Sequence, residues 1–164
     1  MKEKAGSDNA SLSAPSPADS TRGTRYLGQV ILKLRKLERQ PRSFGAAGLL
    51  TPSEIHTIEA IGCGRSVLMS ELAARLQVTK GAVTQLIARL EGKGLVHRTP
   101  HPVDSRATEL ALTELGVIAY DAHEETQRQF YQELLEVLTE DEIAVFEISM
   151  KKLSQFLDRE SNSG

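Results

Sequence analysis

The sequence predicts a mainly α-helical chain with one small β-hairpin and six helices, and three features carry that reading. Apolar residues recur at three- and four-residue spacing along most of its length. Two short amphipathic segments, residues 70–76 and 80–90, are joined by a very tight turn around Gln77 and Val78. Two strand-like runs, residues 95–99 and 107–112, flank a loop that Pro100 and Pro102 enforce.

The elements follow in chain order. Residues 1–22 are rich in Ser, Ala, Asp and Pro, with Leu12 almost alone as a large aliphatic side chain. Burial there cannot offset the entropy of ordering, so a disordered tail is expected. After a cap at Thr24, Leu27, Val30, Ile31, Leu34 and Leu37 mark a first helix that Pro41 ends. Thr51, Pro52, Ser53 and Glu54 form a capping box with proline in the first turn, opening a second helix to Ile61. The tripeptide Gly62, Cys63, Gly64 breaks it. A short third helix buries Leu72, Ala73 and Leu76, and Thr79 caps a fourth whose apolar set is Val83, Leu86, Ile87 and Leu90. The hairpin follows as a wing.

A fifth helix is lined by Leu115, Ile118, Ala119, Ala122, Phe130 and Leu134. A second capping box, Thr139 with Glu142, opens a sixth striped by Ile143, Phe146, Met150, Leu153 and Leu157. Both carry more apolar face than a small winged module needs. The expected organisation is a tail, 1–22, and one domain, 23–164. In that domain, residues 51–112 form a winged helix-turn-helix between long helices at 23–40 and 113–160.

At 164 residues and 40% apolar, the chain suits one compact core plus a loose end. It has no apolar run long enough for a membrane span and no secretory signal, so no membrane partner and a cytoplasmic location are expected. The lone Cys63 cannot form an internal disulfide. Net charge is −2, but its distribution matters more. Residues 70–106 hold six basic and three acidic side chains, whereas residues 107–164 hold four basic and 13 acidic ones. That asymmetry points to a phosphate-facing middle and a C-terminal region held away from phosphate.

The fourth helix would present Lys80, Gly81, Thr84, Gln85, Ala88 and Arg89 opposite its apolar set. Small residues let a helix enter a major groove, Gln pairs bidentately with adenine, and Lys and Arg reach phosphate or guanine. Taken alone, such a face also describes an ordinary solvated helix. At the wing tip, the spacing of Asp104 and Arg106 lets a carboxylate orient a guanidinium for the narrow minor groove, or form a plain surface ion pair. Arg98 on the first wing strand is placed to meet a flanking phosphate. His97 and His101 on the wing face solvent or phosphate in this reading.

The run MSELAARLQVTKGAVTQLIARLEGKGLVHRTPHPVDSRATELALTELG, residues 69–116, resembles the core of the MarR family of bacterial repressors. Its Asp-x-Arg, followed by alternating Leu, a Thr and a Gly, resembles that family's wing. The flanking helices are similar too, so the resemblance spans residues 24–160. It implies an obligate homodimer on double-stranded DNA, with the first, fifth and sixth helices intertwined and the recognition helices in successive major grooves of a pseudo-palindrome. By position, Lys80, Gly81, Thr84, Gln85 and Arg89 would lie at the major groove and Arg106 in the minor groove, with Asp104 behind it.

No cofactor is required by such a protein, but family members respond to a small ligand, a metal or an oxidant. The stretch TPSEIHTIE resembles the family's zinc-responsive branch, and His56 and His123 would be ligands there, with Glu38 or an acid near His123 completing the set. The fifth helix offers one histidine where that branch has a His-rich run. An aromatic effector is the other mode, with Tyr26, Phe44, Tyr120 and Phe130 as lining candidates. Cys63, near Arg65, is an oxidant-sensor candidate, although a lone cysteine is more often an inert small side chain. A winged module that binds protein instead of DNA is the competing function. No phosphate-cradling glycine loop, HExxH, G-x-S-x-G or cysteine flanked by a base occurs, so no enzyme is expected.

Overall fold

The computed structural model describes residues 17–37, 39–104 and 106–161. The chain divides into two compact units, Met1–Gln40 and Pro41–Gly164. In the first, α1 runs Pro17–Leu37. It opens at Pro17 rather than at Thr24, so the last residues assigned to a disordered tail are helical. Proline suits a first turn because its missing N–H would have no helical acceptor, and this extends the helix beyond its apolar stripe. Arg35 and Lys36 complement the dipole at its end.

The second unit begins with a two-stranded hairpin, β1 (Arg42–Ser43) and β2 (Leu49–Leu50), closed through a 3₁₀ turn at Gly45–Ala47. Next come α2 (Pro52–Ile61), β3 (Val67–Leu68), α3 (Met69–Arg75), α4 (Lys80–Gly92), β4 (Val96–Pro100), β5 (Thr108–Leu112), α5 (Glu114–Leu135) and α6 (Glu140–Ser161). The wing is therefore a three-stranded antiparallel sheet in the order β3-β5-β4 rather than a lone hairpin. Val67 pairs with Leu110, and Val96 with Leu112. Neither β3 nor the first hairpin shows the alternation that betrays a strand, because two residues are too few to display it. Pro100 ends β4 instead of breaking it; as an edge strand, β4 tolerates a residue with no N–H to donate.

The capping signals act locally as written. Thr51 Oγ1 accepts from Glu54 N–H at 3.3 Å while Glu54 Oε2 accepts from Thr51 N–H at 2.8 Å. Thr79 Oγ1 accepts from Ala82 N–H at 3.2 Å, and the Thr139–Glu142 box closes at 2.9 Å. At the end of α4, Leu95 N–H reaches Leu90 O and Gly94 N–H reaches Glu91 O, a Schellman closure that needs the left-handed backbone of Gly94, φ 71°. It turns the chain straight from α4 into the wing. The turn between α3 and α4 repeats this closure with Gln77 in the left-handed position, φ 52°.

The core lies within the second unit, where Leu50, Ile58, Ile61, Leu72, Ile87, Leu90, Leu95 and Leu110 are fully buried. Gly116 lets α5 approach closely, since a Cβ there would strike Leu95 O. The apolar stripes expected on the last two helices behave otherwise. On α5 only Gly116 and Ala119 are buried, and Ile118 and Phe130 are exposed; across residues 140–160 of α6 none is buried. Met150, Leu153 and Leu157 line no core of their own chain.

Candidate nucleic-acid interface

Helix α4 has two opposed faces. Val83, Leu86, Ile87 and Leu90 are buried, while Lys80, Gly81, Thr84, Gln85, Ala88 and Arg89 are exposed. The Thr84 hydroxyl donates to Lys80 O at 2.7 Å, and its oxygen keeps the capacity to accept. Both ends of the helix are held. Thr79 caps the first, and Lys93, just past the second, donates to Glu54 Oε2 at 2.8 Å and to Leu49 O at 3.2 Å. Glu54 is only 3% exposed. Burial alone would raise its carboxyl, but the hydrogen bond and charge of Lys93 and the two Thr51 donors outweigh that and hold it below the usual carboxylate range.

The basic residues of this segment fall into two groups. Arg75 donates to the α2 carbonyl of Ala60 at 2.9 Å, Lys93 is bound to Glu54, and Arg98 pairs with Glu91. Among the described residues, the side chains of Lys80, Arg89 and Arg106 have no hydrogen-bond or ionic partner. Within residues 70–106, the cations without a partner among the described residues all lie on α4 or at the wing tip. Arg98 thus differs from its sequence reading. Its Nε sits 2.7 Å from Glu91 Oε2, though with its N–H not aimed along that line, because the turn at Gly94 folds β4 back beside the end of α4. The pair ties the wing to α4.

At the wing tip the Asp104 carboxylate does not hold the Arg106 guanidinium. It accepts from the main-chain N–H of Arg106 at 2.9 Å, an Asx turn that shapes the loop. A side chain two residues away reaches the backbone more readily than it reaches a long, flexible head group. His101, expected to face solvent or phosphate, is engaged as well. Its Nδ1 accepts from Val103 and Asp104 N–H at 3.3 and 3.1 Å.

The effector candidates separate. Phe44 is a core residue at 5% exposure, Tyr120 packs half-buried against that core, and Phe130 is 57% exposed. Tyr26 belongs to the first unit and is exposed. Cys63 is exposed in its glycine loop. His56 and His123 do meet. Together with Glu59 they bring three ligand atoms within 4.8 Å of one another. Glu59 Oε2 lies 3.3 Å from His56 Nδ1 and 3.4 Å from His123 Nε2, and Gln127 Nε2 reaches both Glu59 and His123. Burial raises the Glu59 carboxyl, yet hydrogen bonds from His56 and Gln127 and the neighbouring imidazoles bring it below its usual range. Glu38 lies outside the described residues. Glu59 went unremarked in the sequence, although its spacing of three from His56 on a helix was the available signal.

Among the described residues, no helix is long and apolar enough to cross a membrane. Comparison with known proteins is consistent with the geometry. The profile of the MarR family matches residues 50–108. The multiple antibiotic resistance protein MarR of Salmonella typhimurium is 31% identical over 129 residues, covering 77% of this chain and 90% of that one. The transcriptional repressor MdtR of Bacillus subtilis is 31% identical over 106 residues, covering 65% of this chain and 68% of its own. Streptococcus pneumoniae FabT, solved in complex with DNA, superposes with a TM-score of 0.75 at 28% identity over 86% of this chain and 99% of its own. The mainly helical fold with its small wing is the one these proteins share, and their common work is transcriptional regulation rather than enzymatic catalysis. The chain belongs to the MarR family of DNA-binding transcriptional regulators.

Proposed function

We propose that this chain acts as a homodimeric repressor on a pseudo-palindromic duplex, with α4 in the major groove and the wing tip in the minor groove. The observation that carries this reading is the partition of cations: Arg75, Lys93 and Arg98 bind the protein itself, while Lys80, Arg89 and Arg106 stand free on the two elements that would touch DNA. Gln85 and Thr84 lie between those charges and supply base contacts. Repression is the activity named for MdtR, and FabT was solved bound to DNA. Dimerisation is supported by exposed Tyr26, Leu27, Val30 and Leu34 on α1 and by Ile148, Met150, Phe156 and Leu157 on α6, since apolar stripes of this extent on soluble helices call for a partner surface.

Selection of duplexes from a random pool, followed by binding titrations at several salt concentrations, tests the reading. Arg106→Ala weakens binding by about 1–3 kcal/mol and reduces the salt slope by about one while the dimer persists. Unchanged affinity removes the wing tip from the interface, and failure to retain any duplex favours a protein-interaction module.

A second reading, metal control of that binding, is supported by the His56, Glu59 and His123 convergence. Two imidazoles and a carboxylate are a donor set for zinc, which takes about four ligands, and Gln127 or water stands beside them for the fourth. The cluster joins α2 to α5, so a bound ion would stiffen that junction. Stoichiometric zinc alters duplex affinity in the wild type and not in a His56→Ala/His123→Ala variant; equal responses of the two proteins end the metal reading.

A further inference from the structure

The wing tip is organised around a histidine. His101 Nδ1 accepts two main-chain N–H groups, from Val103 at 3.3 Å and from Asp104 at 3.1 Å. Asp104 then directs the next turn: its carboxylate accepts from Arg106 N–H and its carbonyl from Ala107 N–H, both at 2.9 Å. Ala107 O in turn accepts from His101 N–H at 3.0 Å, closing the loop on itself. The histidine therefore occupies the role that Asp or Asn has in an Asx turn, with a ring nitrogen in place of a side-chain oxygen.

A nitrogen that accepts two N–H bonds carries no proton, so the ring is the neutral tautomer with its hydrogen on Nε2. That edge faces Glu109 of β5, whose Oε1 is 3.7 Å away. Asp104, whose main-chain N–H the ring holds, turns its own carboxylate onto Arg106 N–H. On protonation both ring nitrogens become donors. Nδ1 then opposes two N–H groups instead of accepting from them, while the cation is drawn toward Glu109.

We propose that His101 is a positioning residue for DNA binding: through its neutral Nδ1 it sets the main-chain course of the wing tip, and so the placement of Arg106, and protonation releases that hold. The inference rests on the reading that the wing meets DNA. Its pH sense follows from the chemistry. The ordered tip belongs to the neutral ring, and acid sufficient to protonate the ring releases it.

The test uses the full chain, a duplex selected by the wild type, and two variants. Asn places an acceptor oxygen at the same number of bonds from the main chain and does not protonate, so His101→Asn keeps the turn at every pH; His101→Ala removes it. One neutral hydrogen bond corresponds to a factor of about 2–12. His101→Ala is expected to bind about fivefold more weakly than wild type at pH 8, with His101→Asn near wild type. Combined with Arg106→Ala, His101→Ala adds nothing further, because it acts through that side chain. Lowering the pH weakens the wild type by about fivefold relative to His101→Asn. In ¹⁵N-labelled protein without DNA, the Val103 and Asp104 amide signals move with the imidazole titration in the wild type and stay put in His101→Asn. Wild-type binding that His101→Ala leaves unchanged, equal losses in both variants, or amides indifferent to the imidazole overturn the proposal. Wild type that retains no duplex overturns the DNA-binding reading and this proposal together, and the amide titration separates that failure from a misread turn.

Discussion

The winged module and the terminal helices are built from similar proportions of apolar residues but hold them in opposite ways. In the module, α2, α3, α4 and the sheet turn Ile58, Leu72, Ile87, Leu90 and Leu110 fully inward. In α6, Val145, Ile148, Met150, Phe156 and Leu157 form comparable stripes that remain exposed. The module carries its core within one chain, whereas α6 presents an apolar surface that stays exposed. Amphipathic periodicity therefore says that a face will be covered, and not by which chain.

Substitutions sharpen this contrast, beginning with the module. Ile58→Ala, at a site with 0% exposure, should destabilise the fold by about 2–5 kcal/mol at every protein concentration, measured by denaturant unfolding. An equally large substitution on α6 should act through association. Leu153→Glu with Phe156→Glu is expected to weaken self-association by roughly 100-fold, about 2.7 kcal/mol, and leave the module folded. Sedimentation equilibrium reads the first effect and circular dichroism the second; an unchanged association constant would mean that α6 is not an interface.

A third change tests how the module secures its recognition helix. Lys93→Met leaves Glu54 buried without its cation and should destabilise by about 1–3 kcal/mol at neutral pH, less than a fully buried pair because Lys93 is 38% exposed. The Glu54 carboxyl is held below its ordinary value in the folded state, so the pair's contribution is complete above that value, 4.5, and disappears as pH falls through the lowered one. Wild type and variant should therefore draw together in stability in acid; a gap that does not narrow as pH falls would contradict the assignment. The smallest effect belongs to the α3–α4 turn. Gln77→Gly relieves a left-handed backbone and should raise stability by roughly 0.5–1 kcal/mol, the strain relieved exceeding the entropy that glycine adds to the unfolded chain.

Much of this is legible in the sequence. The Thr51–Glu54 and Thr139–Glu142 boxes, the Thr79 cap and the turn at Gly94 act over a few residues, so their chemistry is readable from spacing alone. The same holds for the division of α4 into a buried and an exposed face. Strand β3 was not readable, because two residues become a strand only when β5 lies alongside. Nor were the partners of Arg98 and Lys93, which sit seven and 39 residues from the carboxylates they bind. Glu59 and His101 were visible as residues but not as participants, since each takes its role from groups brought near by folding.

By itself, the sequence determined where helices start and stop, which face of each is apolar, and the likeness of its middle third to a repressor core, because those properties depend on neighbours within one or two turns. Only the tertiary structure decided which cations of residues 70–106 are engaged by the protein itself and which are not. It also decided that Asp104 holds a backbone rather than a guanidinium, and that two histidines 67 residues apart share Glu59. A charge has no preferred partner until packing fixes its distance to every candidate, and that distance is a property of the fold and not of the chain.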